Sequence, residues 1–375
     1  MPGNTIGSLF RVTTFGESHG PGIGVVVEGC PPGIPLKPPD FTESMNRRRP
    51  GTGVFDSPRS EPDRVEILSG VFEGLTTGTP IAVFISNVDV QSHTYDKTRG
   101  RFRPGHADYT YFKKYGHVDF RGGGRASARE TAARVAAGVV AGKILSPMGI
   151  VVTGYTLELG GVAAREFDRE AASKNPLHCP DLSAALQMTA RLEKAKAEGD
   201  SLGGIVEMKV TGCPAGMGEP VFDKLDADLA KALMSVGAVK GVEIGSGFAS
   251  ARMKGSANND PITPQGFKTN HAGGILGGIS NGDDIVMRVA VKPIPSISIP
   301  QETIDMEGRP VSLKLSGRFD VSAIPRIIPV LEAMAMITLA DHLLRLKAAS
   351  IQNPDPLFGK NNEQKNTQEL NKNDE

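Results

Sequence analysis

SARETAARVAAGVVAGKIL, residues 127–145, is the stretch that decides the fold. It is rich in alanine, apolar on most sides and followed at once by Ser146-Pro147, so it reads as a buried helix with a hard stop. Residues 326–349 form a second long helical stretch with few charges. Residues 181–198 have an amphipathic period. Residues 223–235 put Leu225, Leu229 and Leu233 on one stripe, with Asp223 as the expected N-cap. Residues 24–28, 64–68, 80–86, 205–210 and 284–291 are Val/Ile-rich, alternate with period two and are bounded by Gly, Pro or Asn, as strands are. Strands and helices do not alternate along the chain. The expected class is therefore α+β and not a doubly wound parallel sheet. Residues 1–350 read as one domain, and 351–375, rich in Asn, Gln and charge, as a disordered polar tail. Two Gly-Arg pairs, Gly124-Arg125 and Gly317-Arg318, each lead into a long apolar helix and hint at an internal duplication.

The 375 residues carry 42 Lys+Arg and 42 Asp+Glu, a balance that argues against a general nucleic-acid binder. The absence of Trp disfavours a base-stacking surface. The three cysteines, Cys30, Cys179 and Cys213, have no paired spacing, which fits a reducing cytoplasm. No signal peptide or bilayer span is expected. The histidines lack ligand spacing, so no metal is expected.

Neutrality hides local asymmetry. Arg47, Arg48 and Arg49 are consecutive, and residues 95–134 hold ten Lys/Arg against four acids. Arginine dominates, among Gly and Pro, which favours a pocket for a small polyanion over a solvated face. Arg121-Gly122-Gly123-Gly124-Arg125 precedes the first long helix, where free N–H groups attract anions, and Arg125 and Arg129 are spaced to share one helix face. No GxxxxGK[ST] and no strand-to-helix GxGxxG is present. Gly16-Glu17-Ser18-His19-Gly20 matches GxSxG, but a strand-like segment follows in place of a helix. The hydrolase reading therefore yields to a loop holding Ser18 and His19 at a pocket edge. In Phe102-Arg103-Pro104-Gly105-His106, nearby arginines should lower the His106 pKa. Gly317-Arg318-Phe319-Asp320 sets Arg and Asp on one side of an extended segment, an anion clamp beside a base.

FGESHG (15–20), RRRPGTG (47–53), FRPGHADYT (102–110), RGGGRASARET (121–131), GAVKGVEIG (237–245), NHAGGILGGIS (270–280), KPIPSIS (292–298) and GRFD (317–320) together resemble the chorismate synthase family, over about residues 3–346. The resemblance implies a β-α-β sandwich with long internal helices between antiparallel sheets, and a homotetramer. It implies a 1,4-elimination of phosphate from 5-enolpyruvylshikimate 3-phosphate that gives chorismate and requires reduced FMN. It assigns His19 as acid at the leaving phosphate, His106 beside the flavin and Asp320 to proton removal. Substrate contacts carried over are Ser18, Arg48, Arg59, Arg103, Ser127, Arg129 and Arg318. Flavin contacts are Arg48, Arg125, Ala126, Ser127, Gly237, Ala238, Gly277, Lys292, Pro293, Ile294, Pro295, Ser296 and Arg318. Val54 and Ala126 depart from the family's usual Arg and Ser. The compact length implies a monofunctional enzyme supplied by a separate flavin-reducing system. The competing reading is a non-catalytic flavin or phosphometabolite binder.

Overall fold

In a computed structural model of the chain, residues 3–51, 55, 61–89, 95, 99–317 and 319–349 are described. Two five-stranded antiparallel sheets carry the architecture. The first runs Thr5–Ile6, Arg11–Gly16, Gly22–Glu28, Ile81–Ser86, Val65–Ile67 from edge to edge. The second runs Val239–Ile244, Ile285–Val291, Gly204–Thr211, Val151–Leu159, Val162–Ala163. Period-two alternation sets their registers. Ile23, Val25 and Val27 lie opposite Ile85, Val83 and Ile81, all buried. In the second sheet Val206 and Met208 lie opposite Val289 and Met287 in the core. The residues between them, Glu207 and Arg288, pair on the other face at 2.8 Å.

The helices Thr131–Leu145 and Ile328–Ala349 pack on each other between the sheets. The former touches Gly22–Glu28 and Ile81–Ser86, the latter Val151–Leu159 and Gly204–Thr211. This is the expected α+β sandwich with internal helices. Both helices are buried along most of their length, so their polar groups need partners. Glu332 takes both Arg47 Nη atoms at 2.7 and 3.1 Å. Asp341 accepts the backbone N–H groups of Ser8, Leu9 and Phe10 at 2.6–2.9 Å. The two helices meet where Gly138 faces Ala333: a Cβ on Gly138 would lie 2.4 Å from the Ala333 Cβ. Gly138→Leu should therefore destabilise the fold by about 1–3 kcal/mol through overpacking. A denaturant titration with no midpoint shift would refute that close approach.

Three local expectations are corrected. Residue 223 does not cap its helix: Leu225–Met234 starts after Lys224, and the Asp223 carboxylate pairs with Arg345 at 3.1 Å. The first long helix opens with two 3-10 turns, Gly124–Ala126 and Ala128–Glu130, split by Ser127 in an extended conformation. That break puts Arg125 and Arg129 on different surfaces, not one helix face. Arg125 reaches Thr14 Oγ1 at 2.7 Å, whereas Arg129 reaches Asn87 Oδ1 at 2.8 Å. Finally, Arg47, one of the three consecutive arginines read as part of an anion pocket, is paired with Glu332 through both of its Nη atoms. The tail at 351–375 lies outside the described residues.

Candidate active site

Residues 17–21 join the strands Arg11–Gly16 and Gly22–Glu28, the inter-strand loop that the sequence predicts. No helix follows, so Ser18 is not on a nucleophile elbow. Ser18 is 1% exposed. Its Oγ lies 3.3 Å from the Gly122 carbonyl and 3.0 Å from His19 Nδ1. A carbonyl only accepts, so the hydroxyl donates to Gly122 and Nδ1–H donates to Oγ. Gly122 has φ +62°, and a Cβ there would fall 2.0 Å from His19 Cε1. Only glycine lets the main chain lie against the imidazole. The Tyr95 ring meets His19 edge-on, centroids 5.1 Å apart.

Asn87, just past the strand Ile81–Ser86, donates through Nδ2 to the carbonyls of Glu17 and Gly20 at 2.9 and 2.8 Å. Its Oδ1 accepts from Arg129 Nε. Asn87 thus ties the histidine loop to Arg129. Arg129 Nη2 donates to Ser86 O at 3.2 Å and lies 3.8 Å from Glu61. Its Nη1 pairs with Asp63 Oδ1, and Arg48 Nη2 pairs with Asp63 Oδ2. Arg326 Nε donates to Arg48 O at 3.2 Å, and its Nη1 to Asp320 Oδ1 at 2.6 Å. Arg48 and Arg129 are each 4% exposed. Burial pushes the Arg48 guanidinium down to about 10, with Asp63 opposing, so it stays charged at neutral pH.

Arg103 is forked by Asp108, Nε to Oδ2 and Nη2 to Oδ1, both at 2.7 Å. Its guanidinium sits 5.8 Å from the Tyr95 ring centre, and a Cβ on Gly123 would lie 3.6 Å from Nη2. Arg103 therefore adjoins the His19 cluster. Three residues on, His106 Nδ1 lies 2.9 Å from Pro104 O and Nε2 2.8 Å from Ser296 Oγ. The carbonyl fixes the proton on Nδ1, leaving Nε2 to accept from Ser296. Lys292 Nζ donates to Gly105 O at 2.7 Å, and Lys292 N to Ala238 O at 2.9 Å.

The His106 pKa is lowered, as the sequence predicts, but the order of causes differs. Burial comes first and the Arg103 charge second. A folded-state value below the unfolded 6.5 means that His106 favours folding above pH 6.5, a contribution lost as pH falls toward the folded value. An NMR titration should place its midpoint below 6.5. A midpoint above it would overturn this environment.

The structure thus joins His19, Ser18, Ser127, Arg48, Arg103, Arg129 and Asp320 by a chain of direct contacts. Ser127 belongs through its Oγ, which accepts from Arg129 N at 3.3 Å. His106, Gly237, Ala238 and residues 292–296 form an adjoining group. Arg125 and Ala126 lie in the turn Gly124–Ala126, directly before Ser127. Gly277 does not join them. It turns the hairpin whose Gly278 packs on Lys224, at the opposite end of the Leu225–Met234 helix from Gly237, about 15 Å along its axis. Arg59, Arg318 and Val54 lie outside the described residues.

Sequence reading missed Asp63, Asn87, Asp108, Tyr95 and Arg326. Asp108 alone left a local signal, an acid five residues after Arg103. Among the described residues, no group of three or more His, Cys, Asp or Glu is placed to hold a metal, and no helix is long and apolar enough to cross a membrane. A separate cleft of about 570 Å³, between the Thr5–Ile6 edge and Ile337–Arg345, contains none of these site residues.

Comparisons with known proteins identify the family. The family model described as chorismate synthase matches residues 10–344. A chorismate synthase of Syntrophus aciditrophicus is 62% identical over 94% of this chain and 100% of the relative. One of Desulfatibacillum aliphaticivorans is 60% identical over 92% and 96%. A crystal structure of chorismate synthase superposes with a TM-score of 0.73 at 34% identity, covering 91% of this chain and 93% of that one. With the match running through nearly all of the sandwich and both groups of site residues, the chain belongs to the chorismate synthase family.

Proposed function

We propose that the chain eliminates phosphate from 5-enolpyruvylshikimate 3-phosphate to give chorismate, with reduced FMN as the required cofactor. The observation that carries this reading is the contact chain from the loop that bears His19, held at Glu17 O and Gly20 O, through Asn87 and Arg129 to Arg48. It sets an acid–base group beside buried guanidiniums. Such a site suits a metabolite with a phosphate and two carboxylates. Ser18, Arg48 and Arg129 are shielded from water, which strengthens each charge interaction. His19, held by its Nδ1–H on Ser18 and acting as the imidazolium, gives its Nε2 proton to the departing phosphate and is left neutral. Arg48, Arg59, Arg103, Arg129 and Arg318 hold the substrate anions, with Ser127 as a hydrogen-bond partner. Asp320 accepts the ring proton.

The residues fit an anionic, planar cofactor. A Cβ on Gly237 would meet nothing within 4 Å, so the backbone there is open to a ligand. Ala238 holds φ +75°, and Lys292, bonded to it through the main chain, extends its ammonium to Gly105 O. Arg125, Ala126, Ser127, Pro293, Ile294, Pro295 and Ser296 complete the proposed contacts. Reduced FMN, when bound, supplies electron density to the allylic system that loses phosphate. His106, its pKa lowered by burial, uses both ring nitrogens to tie Pro104 to Ser296 and so braces the 292–296 segment beside that group.

The core is continuous from Phe10 to Leu343, which supports one domain over residues 1–350. Phe222 and Phe248 are 91% and 73% exposed, which supports assembly into a homotetramer. Reduced flavin comes from a separate system in this reading. The deciding experiment is anaerobic, with dithionite-reduced FMN and the enolpyruvyl substrate. Chorismate absorbance and released phosphate are expected in equal amounts, and the appearance of neither overturns the reading. His106→Ala and Asp320→Ala should abolish turnover yet still bind reduced FMN. Near-normal turnover in either removes its assigned role.

A further inference from the structure

The guanidiniums assigned to the substrate are already met by carboxylates of the chain itself. The Asp108 fork on Arg103 is local, and Asp108 also accepts the Arg103 backbone N–H at 3.1 Å, so it shapes the turn. Asp63 is different. It lies 15 residues from Arg48 and 66 from Arg129 in sequence, and gives each one oxygen. Two guanidiniums sharing one two-oxygen anion is the arrangement that a ligand carboxylate or phosphate makes with such a pair.

Three further features mark Asp63 as an occupant of the anion site. Its side chain is fully buried, yet it stays an anion: burial alone would raise its pKa, and Arg48 and Arg129 outweigh this and hold it low. Its backbone has φ +47°, a left-handed conformation held at a cost by a residue with a Cβ. Arg48 Nε is buried without a hydrogen-bond partner, so Asp63 engages Arg48 through Nη2 and leaves a donor unused. Among the described residues, Arg48, Arg129 and Arg326 face Asp63, Glu61 and Asp320.

We propose that Asp63 is an internal competitor that holds the place of a substrate anion between Arg48 and Arg129 and is displaced when that anion binds. The inference rests on reading Arg48 and Arg129 as anion grips. It adds a basis for selectivity: a ligand displaces Asp63 only if it offers oxygen atoms to both guanidiniums at once.

Calorimetric titration of the full-length protein with inorganic phosphate tests it, using the unaltered chain, Asp63→Asn and Arg48→Ala. Asp63→Asn should bind phosphate about tenfold tighter than the unaltered chain, and Arg48→Ala at least tenfold weaker. If Arg48→Ala binds phosphate as well as the unaltered chain, the anion-grip reading fails and the competitor falls with it. If Arg48→Ala weakens binding while Asp63→Asn binds no tighter, the grip stands and the competitor alone is refuted. Should Asp63→Asn not fold, hydrogen exchange on the unaltered chain decides. The peptide over residues 61–67 should exchange faster at saturating phosphate. Unchanged or slower exchange overturns displacement.

Discussion

His19→Ala is expected to lower kcat by about 10²–10⁴, the range for losing a positioned proton donor. The structure explains why the loss should fall on kcat. His19 touches Ser18 and Tyr95, whereas the buried guanidiniums are held by a separate set, Asp63, Asn87 and Ser86. Truncating the imidazole leaves that set intact and leaves the Ser18 hydroxyl its bond to Gly122 O. Substrate affinity should therefore change little. Anaerobic turnover at saturating reduced FMN and substrate measures the effect, with phosphate release as a second readout. A kcat within threefold of the unaltered chain would remove His19 from the chemistry. Ser18→Ala should cost far less, since it removes alignment and not the donor.

Arg129→Met should be the most destabilising single change in the site, by about 3–5 kcal/mol. The substitution strips Asp63 Oδ1, Asn87 Oδ1 and Ser86 O of a donor and removes the guanidinium 3.8 Å from Glu61. Asp63 keeps Arg48, but a doubly gripped buried carboxylate becomes singly gripped. Arg129→Lys should not restore stability, because one ammonium cannot reach acceptors spread around a planar fork. Equilibrium unfolding in urea gives the measurement. The paired variant Arg129→Met/Asp63→Asn should recover part of the loss, since the stranded charge is gone. If the single variant unfolds within 1 kcal/mol of the unaltered chain, the ion cluster contributes far less than its burial implies.

The scaffold was largely written in local patterns. Alternation at 24–28, 80–86, 205–210 and 284–291 located the central strands of both sheets to within two residues. Helices 127–145 and 326–349 declared themselves by uniform apolarity, because a helix enclosed on all sides has no polar face to betray. The Asp223 cap was misread because cap propensity is local, whereas Arg345, 122 residues away, competes for that carboxylate. At the site the basic half was visible, since arginines clustered among glycines are unusual in a neutral chain. Its acidic half was not. Asp63 gains its meaning only when Arg48 and Arg129 are folded onto it, and no periodicity encodes that meeting. Asn87 was silent for the same reason, as a single amide at a strand end.

The bare main chain at Gly122, laid along one edge of His19, has a consequence for stereochemistry. A side chain held by neighbouring side chains can trade rotamers when they breathe. An imidazole wedged against peptide backbone cannot pivot unless the 121–124 turn moves with it. On the proposed reading, a proton passed by this ring arrives from one direction, which the path of the polypeptide sets.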